Sequence, residues 1–136
     1  MLEPAACVLI PTGGTTEQIL AISRRNDFTK WGIPGGKQEP GESNLECAAR
    51  EIYEECRVWV DPTRLHPIYS GACYGKDGRN FWVTTYFDPD PYLSDIVSEE
   101  GFRVKCMDID VLCDPEYSPF FEYNTKVRDA WRAFYG

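Results

Sequence analysis

Ser43 stands three residues before Glu46, with Pro40 and Gly41 just outside, and no other feature constrains the local fold as tightly. In that spacing each side chain takes up a backbone N–H that the first turn of a helix leaves without a partner. The pattern predicts a helix from about Asn44 to about Cys56. Leu45, Ala48 or Ala49, Ile52 and Cys56 recur at three- and four-residue steps and form one stripe to be buried. Glu51, Glu54 and Glu55 crowd a neighbouring face, where like charges cost about 0.2–0.5 kcal/mol per pair. Two readings are open for the helix alone. Arg50, beside Glu51 and four positions before Glu54, neutralises a solvated face, or the acids serve a cation.

Elsewhere the pattern is strand and turn. Residues 5–11 and 18–23 are apolar and flank a Thr-Gly-Gly-Thr turn, which reads as a hairpin. Gly13 and Gly14 serve that turn, since neither a following Lys-Ser/Thr nor a helix start makes them a phosphate loop. Residues 31–36 end a short extended piece in a tight, glycine-permitted bend. Residues 67–74 and 81–87 flank Asp77-Gly78 as a second hairpin, 88–98 read as a loop, 102–109 as a strand and 123–134 as a closing helix. There is no repeat or low-complexity tract, and 136 residues suit a single domain over 1–136.

The net charge of −8, from 14 basic and 22 acidic residues, argues against duplex nucleic acid, whose phosphates demand a basic face. A free anionic nucleotide remains compatible where divalent ions stand between it and an acidic pocket. The six cysteines contain no Cys-x-x-Cys pair and only His66 could join them, so no zinc module is expected. With Cys47 and Cys56 inside one helix and no signal peptide, we expect reduced thiols in the cytoplasm. No apolar run approaches the roughly 20 residues that cross a bilayer.

The loop before the helix favours the cation. Pro34-Gly35-Gly36 can present backbone carbonyls and Glu42 can face Arg50, and oxygen ligands suit Mg2+. Gly36, Glu42, Arg50-Glu51-Ile52, Glu54-Glu55 and Val58 stand at the spacings of a known motif over 23 residues. The pattern resembles the Nudix box. One fixed position departs: Arg57 stands where the family usually has glycine to end the helix in a left-handed turn, so the helix exit is the point in doubt.

The resemblance implies an α/β fold, an α/β/α sandwich in which loop, helix and loop lie beside a mixed sheet. It implies Mg2+, with Mn2+ as a substitute, held by Glu54, Glu55, Glu51 and the carbonyl of Gly36 or its neighbour Gly35. Glu51 serves as ligand or general base, and Arg50 with Glu42 as an orienting pair. A further acid comes from a later loop, Glu100 or Glu99. The implied reaction is hydrolysis of a phosphoanhydride in a small nucleotide by a monomer or homodimer. Asn124, in Phe120-Phe121-Glu122-Tyr123-Asn124, resembles the residue with which MutT-like members read a purine, and a helix cap is its plain alternative. Arg24 and Arg25 are candidates for phosphate. Phe28, Trp31, Phe81 and Trp82 are stacking candidates or core. Tyr74 resembles the tyrosine placement of diadenosine polyphosphate hydrolases. Nucleoside triphosphate, oxidised forms such as 8-oxo-dGTP included, ranks first, dinucleoside polyphosphate second and ADP-ribose third. A nucleotide-binding module without catalysis is the rival of a different class.

Overall fold

Both faces of the first strand are covered, and this organises the molecule. The computed structural model describes residues 2–12, 17–75, 78–89 and 103–135. In β1 (Glu3–Leu9), Ala5 and Leu9 enter one apolar cluster while Ala6 and Val8 enter another. In β2 (Gln18–Arg24), Ile19 and Ala21 divide from Leu20 and Ile22 in the same way. Such near-continuous apolar strands belong in a layer with helices on both sides. Helix α1 (Asn44–Cys56) covers one face through Cys47, Ala48 and Ile52. The other is covered by α3 (Phe121–Tyr135) through Tyr123, Val127 and Trp131.

The middle layer holds two sheets. Strands β4 (Gly35–Lys37), β1, β6 (Asn80–Phe87) and β5 (His66–Tyr74) lie in the order β4-β1-β6-β5. Only β1 and β6 run parallel, so this sheet is mixed. The second sheet is antiparallel, ordered β3-β2-β7, with β3 at Asp27–Gly32 and β7 at Val104–Asp108. A short helix α2 (Ile109–Leu112) follows β7, capped by Asp108, whose Oδ1 accepts the Asp110 N–H at 2.9 Å.

The predicted β5–β6 hairpin forms, with Tyr74 opposite Asn80 and Gly78 at φ 87°. Asp77 lies outside the described residues, as do Gly13 and Gly14. The first hairpin needs correction. Both edges of β1 are taken, by β4 and β6, so β1 and β2 part into different sheets. Their hairpin persists only as a bridge between Pro11 and Ile19, with the Leu20 N–H on the Ile10 carbonyl at 2.9 Å. The strand predicted over 102–109 is shorter, because Asp108 caps α2 and Ile109 begins it.

Helix α1 starts and stops at the predicted residues. Ser43 Oγ accepts the Glu46 N–H at 3.1 Å, and Glu46 Oε1 accepts the Ser43 N–H at 3.0 Å. At the exit Arg57 adopts the left-handed conformation itself, φ 57°, with its N–H on the Tyr53 carbonyl at 2.9 Å. A side chain there costs roughly 1–2 kcal/mol relative to the right-handed form. The helix therefore ends as glycine would end it, and the Arg57 guanidinium lies 5.2 Å from the centre of the Tyr53 ring.

The six cysteines are free thiols. Among the described residues no helix is long and apolar enough to cross a membrane.

Candidate active site

A cleft of about 1000 Å3 opens where β4 and α1 meet the second sheet and the start of α3. Glu51 and Glu55 form its acidic wall. Arg24, Arg25 and Trp31 line the side made by β2 and β3, while Phe81, Phe120 and Asn124 line the far end.

The glycine pair of β4 works by space, since neither Gly35 nor Gly36 has a positive φ. A Cβ at Gly35 would collide with the Ala6 carbonyl oxygen, and one at Gly36 would sit 2.6 Å from the Glu51 carboxylate. The bend read from the sequence is thus a strand on which α1 sets its acids. The Val8 N–H reaches the Pro34 carbonyl at 2.9 Å and the Gln38 N–H the Pro4 carbonyl at 3.0 Å. Antiparallel alternation between those bonds makes Ala6 and Gly36 a bonded pair and turns the polar groups of Gly35 the opposite way. The Gly35 N–H indeed donates to Glu55 Oε1 at 2.8 Å. Gly36 was one expected carbonyl ligand, but its oxygen faces β1 and takes the Cys47 thiol at 3.4 Å. By the same alternation the Gly35 carbonyl points away from β1, to the side on which its N–H meets Glu55.

Arg50 is the hub of the cluster. Its Nε and an Nη donate to Glu42 at 2.6 and 3.1 Å, and its other Nη reaches Glu51 at 2.8 Å and Glu54 at 3.1 Å. The Lys37 carbonyl accepts a further bond at 3.1 Å. The Arg50 bond holds the Glu42 carboxyl below the usual carboxylate range, so Glu42 is the ionised anchor. Burial pushes the Glu51 carboxyl up, with Arg50 opposing. Glu55 is pushed well up by burial and by the charge of Glu51, with the Gly35 N–H offsetting part of it. Two desolvated carboxylates that repel each other, beside a backbone carbonyl, are hard oxygen donors of the kind that suits a divalent cation. Among the described residues no three His, Cys, Asp or Glu side chains are gathered into a cage, and Glu51 and Glu54 are paired with Arg50. The candidate fourth acid, Glu99 or Glu100, lies outside the described residues.

Glu51, Glu54 and Glu55 do not share one role. Glu51 and Glu55, four apart, enter the cleft, whereas the Glu54 side chain is 55% exposed and held by Arg50. Asn124 is no cap: it sits inside α3, 3% exposed, with Nδ2 donating to the Leu112 carbonyl at 2.8 Å and to Ser118 Oγ at 3.1 Å. The Leu112 carbonyl can only accept, which fixes the amide and leaves Oδ1 as the atom for a ligand. Tyr74 is 66% exposed at the end of β5, outside the lining. Of the stacking candidates Trp31 and Phe81 line the cleft, while Phe28 and Trp82 are exposed outside it. Sequence reading missed Arg79, which lines the cleft with its guanidinium 5.4 Å from the Phe120 ring centre. Its signal was a basic residue directly after the hairpin glycine.

A model of the NUDIX domain matches residues 1–123. The chain belongs to the Nudix family. Among curated relatives, the Bacillus subtilis (strain 168) protein named "Putative 8-oxo-dGTP diphosphatase" is 50% identical over 40 residues, 29% of this chain and 26% of its own length. Human "Nucleoside diphosphate-linked moiety X motif 6" is 28% identical over 108 residues, 75% of this chain and 33% of its own. This Nudix chain thus spans about a quarter to a third of the length of these relatives. In fold it is similar to the E. coli ORF135 protein, with TM-score 0.72, 19% identity and coverage of 96% of this chain and 91% of that one. The E. coli dihydroneopterin triphosphate pyrophosphohydrolase gives 0.71, 19%, 93% and 92%. The α/β/α arrangement of this chain is therefore the Nudix fold.

Gly36→Ala tests the seating of Glu51. The new methyl must push the carboxylate aside, and misplacement of a reacting group by about 1 Å costs on the order of 100-fold. We expect turnover to fall by about that factor in a folded protein, read by steady-state kinetics beside a melting curve.

Proposed function

We propose that this Nudix domain hydrolyses a nucleoside triphosphate, ordinary or oxidised, to the monophosphate and pyrophosphate with the aid of a divalent cation. One observation carries the reading: a single cleft joins the acid pair Glu51 and Glu55 to Arg24, Arg25 and the fixed amide of Asn124. Glu51, Glu54, Glu55 and the Gly35 carbonyl would hold Mg2+ or Mn2+, with Glu99 or Glu100 as a further acid. Bound there, the cation supplies neutralisation of phosphate charge and a more acidic water.

The chain's own groups supply the rest. Glu51, half-buried and raised in pKa, serves either as a ligand of that cation or as the base that accepts a proton from the attacking water. Water adds to phosphorus, the bridging P–O bond breaks, and pyrophosphate carries away the electron pair. Arg24 and Arg25 bind phosphate oxygens, and Asn124 Oδ1 accepts a bond from a base N–H. Glu42 and Arg50 keep Glu51 and Glu54 in place. The name of the Bacillus subtilis relative supports an oxidised purine among the substrates. The dinucleoside polyphosphate alternative rested on Tyr74, which lies outside the lining, so the triphosphate stays first. Free thiols fit a cytoplasmic setting.

The test is hydrolysis of a nucleotide panel with and without Mg2+, covering ordinary and oxidised triphosphates, diadenosine polyphosphates and ADP-ribose, with products separated by chromatography. Metal-dependent release of monophosphate and pyrophosphate supports the proposal. Nucleotide binding without turnover would instead make this a binding module. In the same panel Asn124→Ala is expected to raise KM for the preferred base by about 10- to 100-fold, the worth of a lost buried hydrogen bond.

A further inference from the structure

The segment between β4 and α1, residues 38–43, carries Glu42, and through Glu42 it sets Arg50 and two acids of the site. Its turn is shaped from within by the Glu42 N–H on the Glu39 carbonyl at 3.1 Å and by the Glu39 N–H on Glu42 Oε1 at 3.0 Å. Those bonds give the turn its form but do not tie Glu42 to the sheet. A second chain of side-chain bonds does. Gln38 Nε2 donates to the Glu42 carbonyl at 2.5 Å, and Gln38 Oε1 accepts from Asn44 Nδ2 at 3.3 Å. Asn44 Nδ2 also donates to the Ala5 carbonyl of β1 at 3.2 Å, while its Oδ1 accepts from the Tyr86 hydroxyl at 3.1 Å.

The Ala5 carbonyl can only accept, so it fixes the Asn44 amide and leaves Oδ1 for Tyr86. Tyr86 stands on β6 opposite Val8 of β1, partly buried against the cluster under α1. Neither Tyr86 nor Asn44 lines the cleft, so they reach the site along α1, which Asn44 begins, or through Gln38 and Glu42, and the Glu42→Gln background separates the two routes.

We propose that Tyr86, Asn44 and Gln38 are positioning residues, a hydrogen-bonded strut from the sheet to the Glu42 main chain that holds Arg50, and thereby Glu51 and Glu54, in place. The role rests on the hydrolase reading above for its effect on turnover, but not for its effect on Arg50. Tyr86→Phe removes one oxygen from the far end of the strut and leaves the ring packed. Gln38→Met removes both of its polar atoms at similar length.

The experiment measures kcat, KM and melting temperature for each variant, alone and combined with Glu42→Gln, on the nucleotide the wild type hydrolyses. It also follows hydrogen exchange of the Arg50 Nε–H by NMR in protein treated with a chelator. Each variant should lower kcat about 5- to 20-fold, within the cost of a sub-ångström misplacement, with KM within about twofold. Arg50 Nε–H exchange should accelerate several-fold. In the Glu42→Gln background Tyr86→Phe should change kcat less than about twofold, the non-additivity of members of one network. Unchanged kcat and unchanged Arg50 exchange in folded Tyr86→Phe, or a loss that simply adds to that of Glu42→Gln, would overturn the strut. If the wild type hydrolyses no nucleotide, the hydrolase reading fails and the Arg50 exchange rate alone decides the strut: acceleration supports it, no change refutes it.

Discussion

Glu55→Gln is expected to lower turnover by about 100- to 1000-fold and at the same time to raise the melting temperature of the protein in chelator. Glutamine has the same volume, and its amide oxygen still accepts the Gly35 N–H, so the strand and helix keep their spacing. What disappears is the negative charge. A cation loses one oxygen ligand, and a loss of about 3–4 kcal/mol of transition-state stabilisation corresponds to the stated factor. Stability moves the other way because burial and the neighbouring Glu51 charge both disfavour the ionised form of Glu55. Its pKa is raised in the folded protein above the ordinary 4.5, so folding takes up protons. The contribution of Glu55 to stability is fully present below that ordinary value and is lost as pH rises towards the folded pKa. The melting temperature of Glu55→Gln relative to the wild type in chelator should therefore rise as pH is raised from 4. Mg2+ should restore the wild type more than the variant. Glu54→Gln, at an exposed position paired with Arg50, should lose turnover with little change in melting temperature. Near-wild-type kcat in folded Glu55→Gln would reject the assigned site.

The contrast between Glu54 and Glu55 also marks how far the sequence could be read. The start of α1 follows from Ser43 and Glu46, and its buried stripe from Ile52 and Cys56, because capping and helical periodicity act within a turn or two of chain. That three acids neighbour one another was legible on the same grounds. Which of them enter the cleft depends on where β4 lies against the helix, and that is tertiary. The glycine pair shows the same limit. Residue type announced freedom of φ, whereas the structure uses the missing Cβ at Gly35 and Gly36 for close approach of β1 and of Glu51. The first hairpin was misjudged because local turn chemistry cannot tell that β4 and β6 already occupy the edges of β1. Tyr74 fell outside the site by strand alternation: Cys73 turns into the cleft, so its neighbour turns away. The cap reading of Asn124 fell only when Leu112 and Ser118, distant by 12 and 6 residues, were seen to take its amide hydrogens.

Arg50→Gln should cost about 3–5 kcal/mol of stability in chelator, some 10–15 °C in melting temperature for a chain of this size. The guanidinium is only 21% exposed, and it faces Glu42 and Glu51, whose side chains are 12% and 16% exposed. Removing it strands both carboxylates at close quarters with Glu54, and an uncompensated charge at a desolvated site is far more costly than the pair was favourable. Lysine is a poor replacement. A single ammonium cannot span Glu42 in two bonds while reaching Glu51, Glu54 and the Lys37 carbonyl, so Arg50→Lys should recover less than half of the loss. Mg2+ discriminates between the parts of the cluster. A divalent ion in the cleft can neutralise Glu51, which lines it, but not Glu42, which lies outside the lining. Saturating Mg2+ should accordingly return part of the lost stability to Arg50→Gln and add less to Glu42→Gln, where Arg50 still serves Glu51 and Glu54. Melting temperatures of the two variants across a Mg2+ titration decide the matter. A value for Arg50→Gln within about 2 °C of the wild type in chelator would show that the carboxylates of α1 are independent of their hub, and that cation binding at this site is not opposed by an internal one.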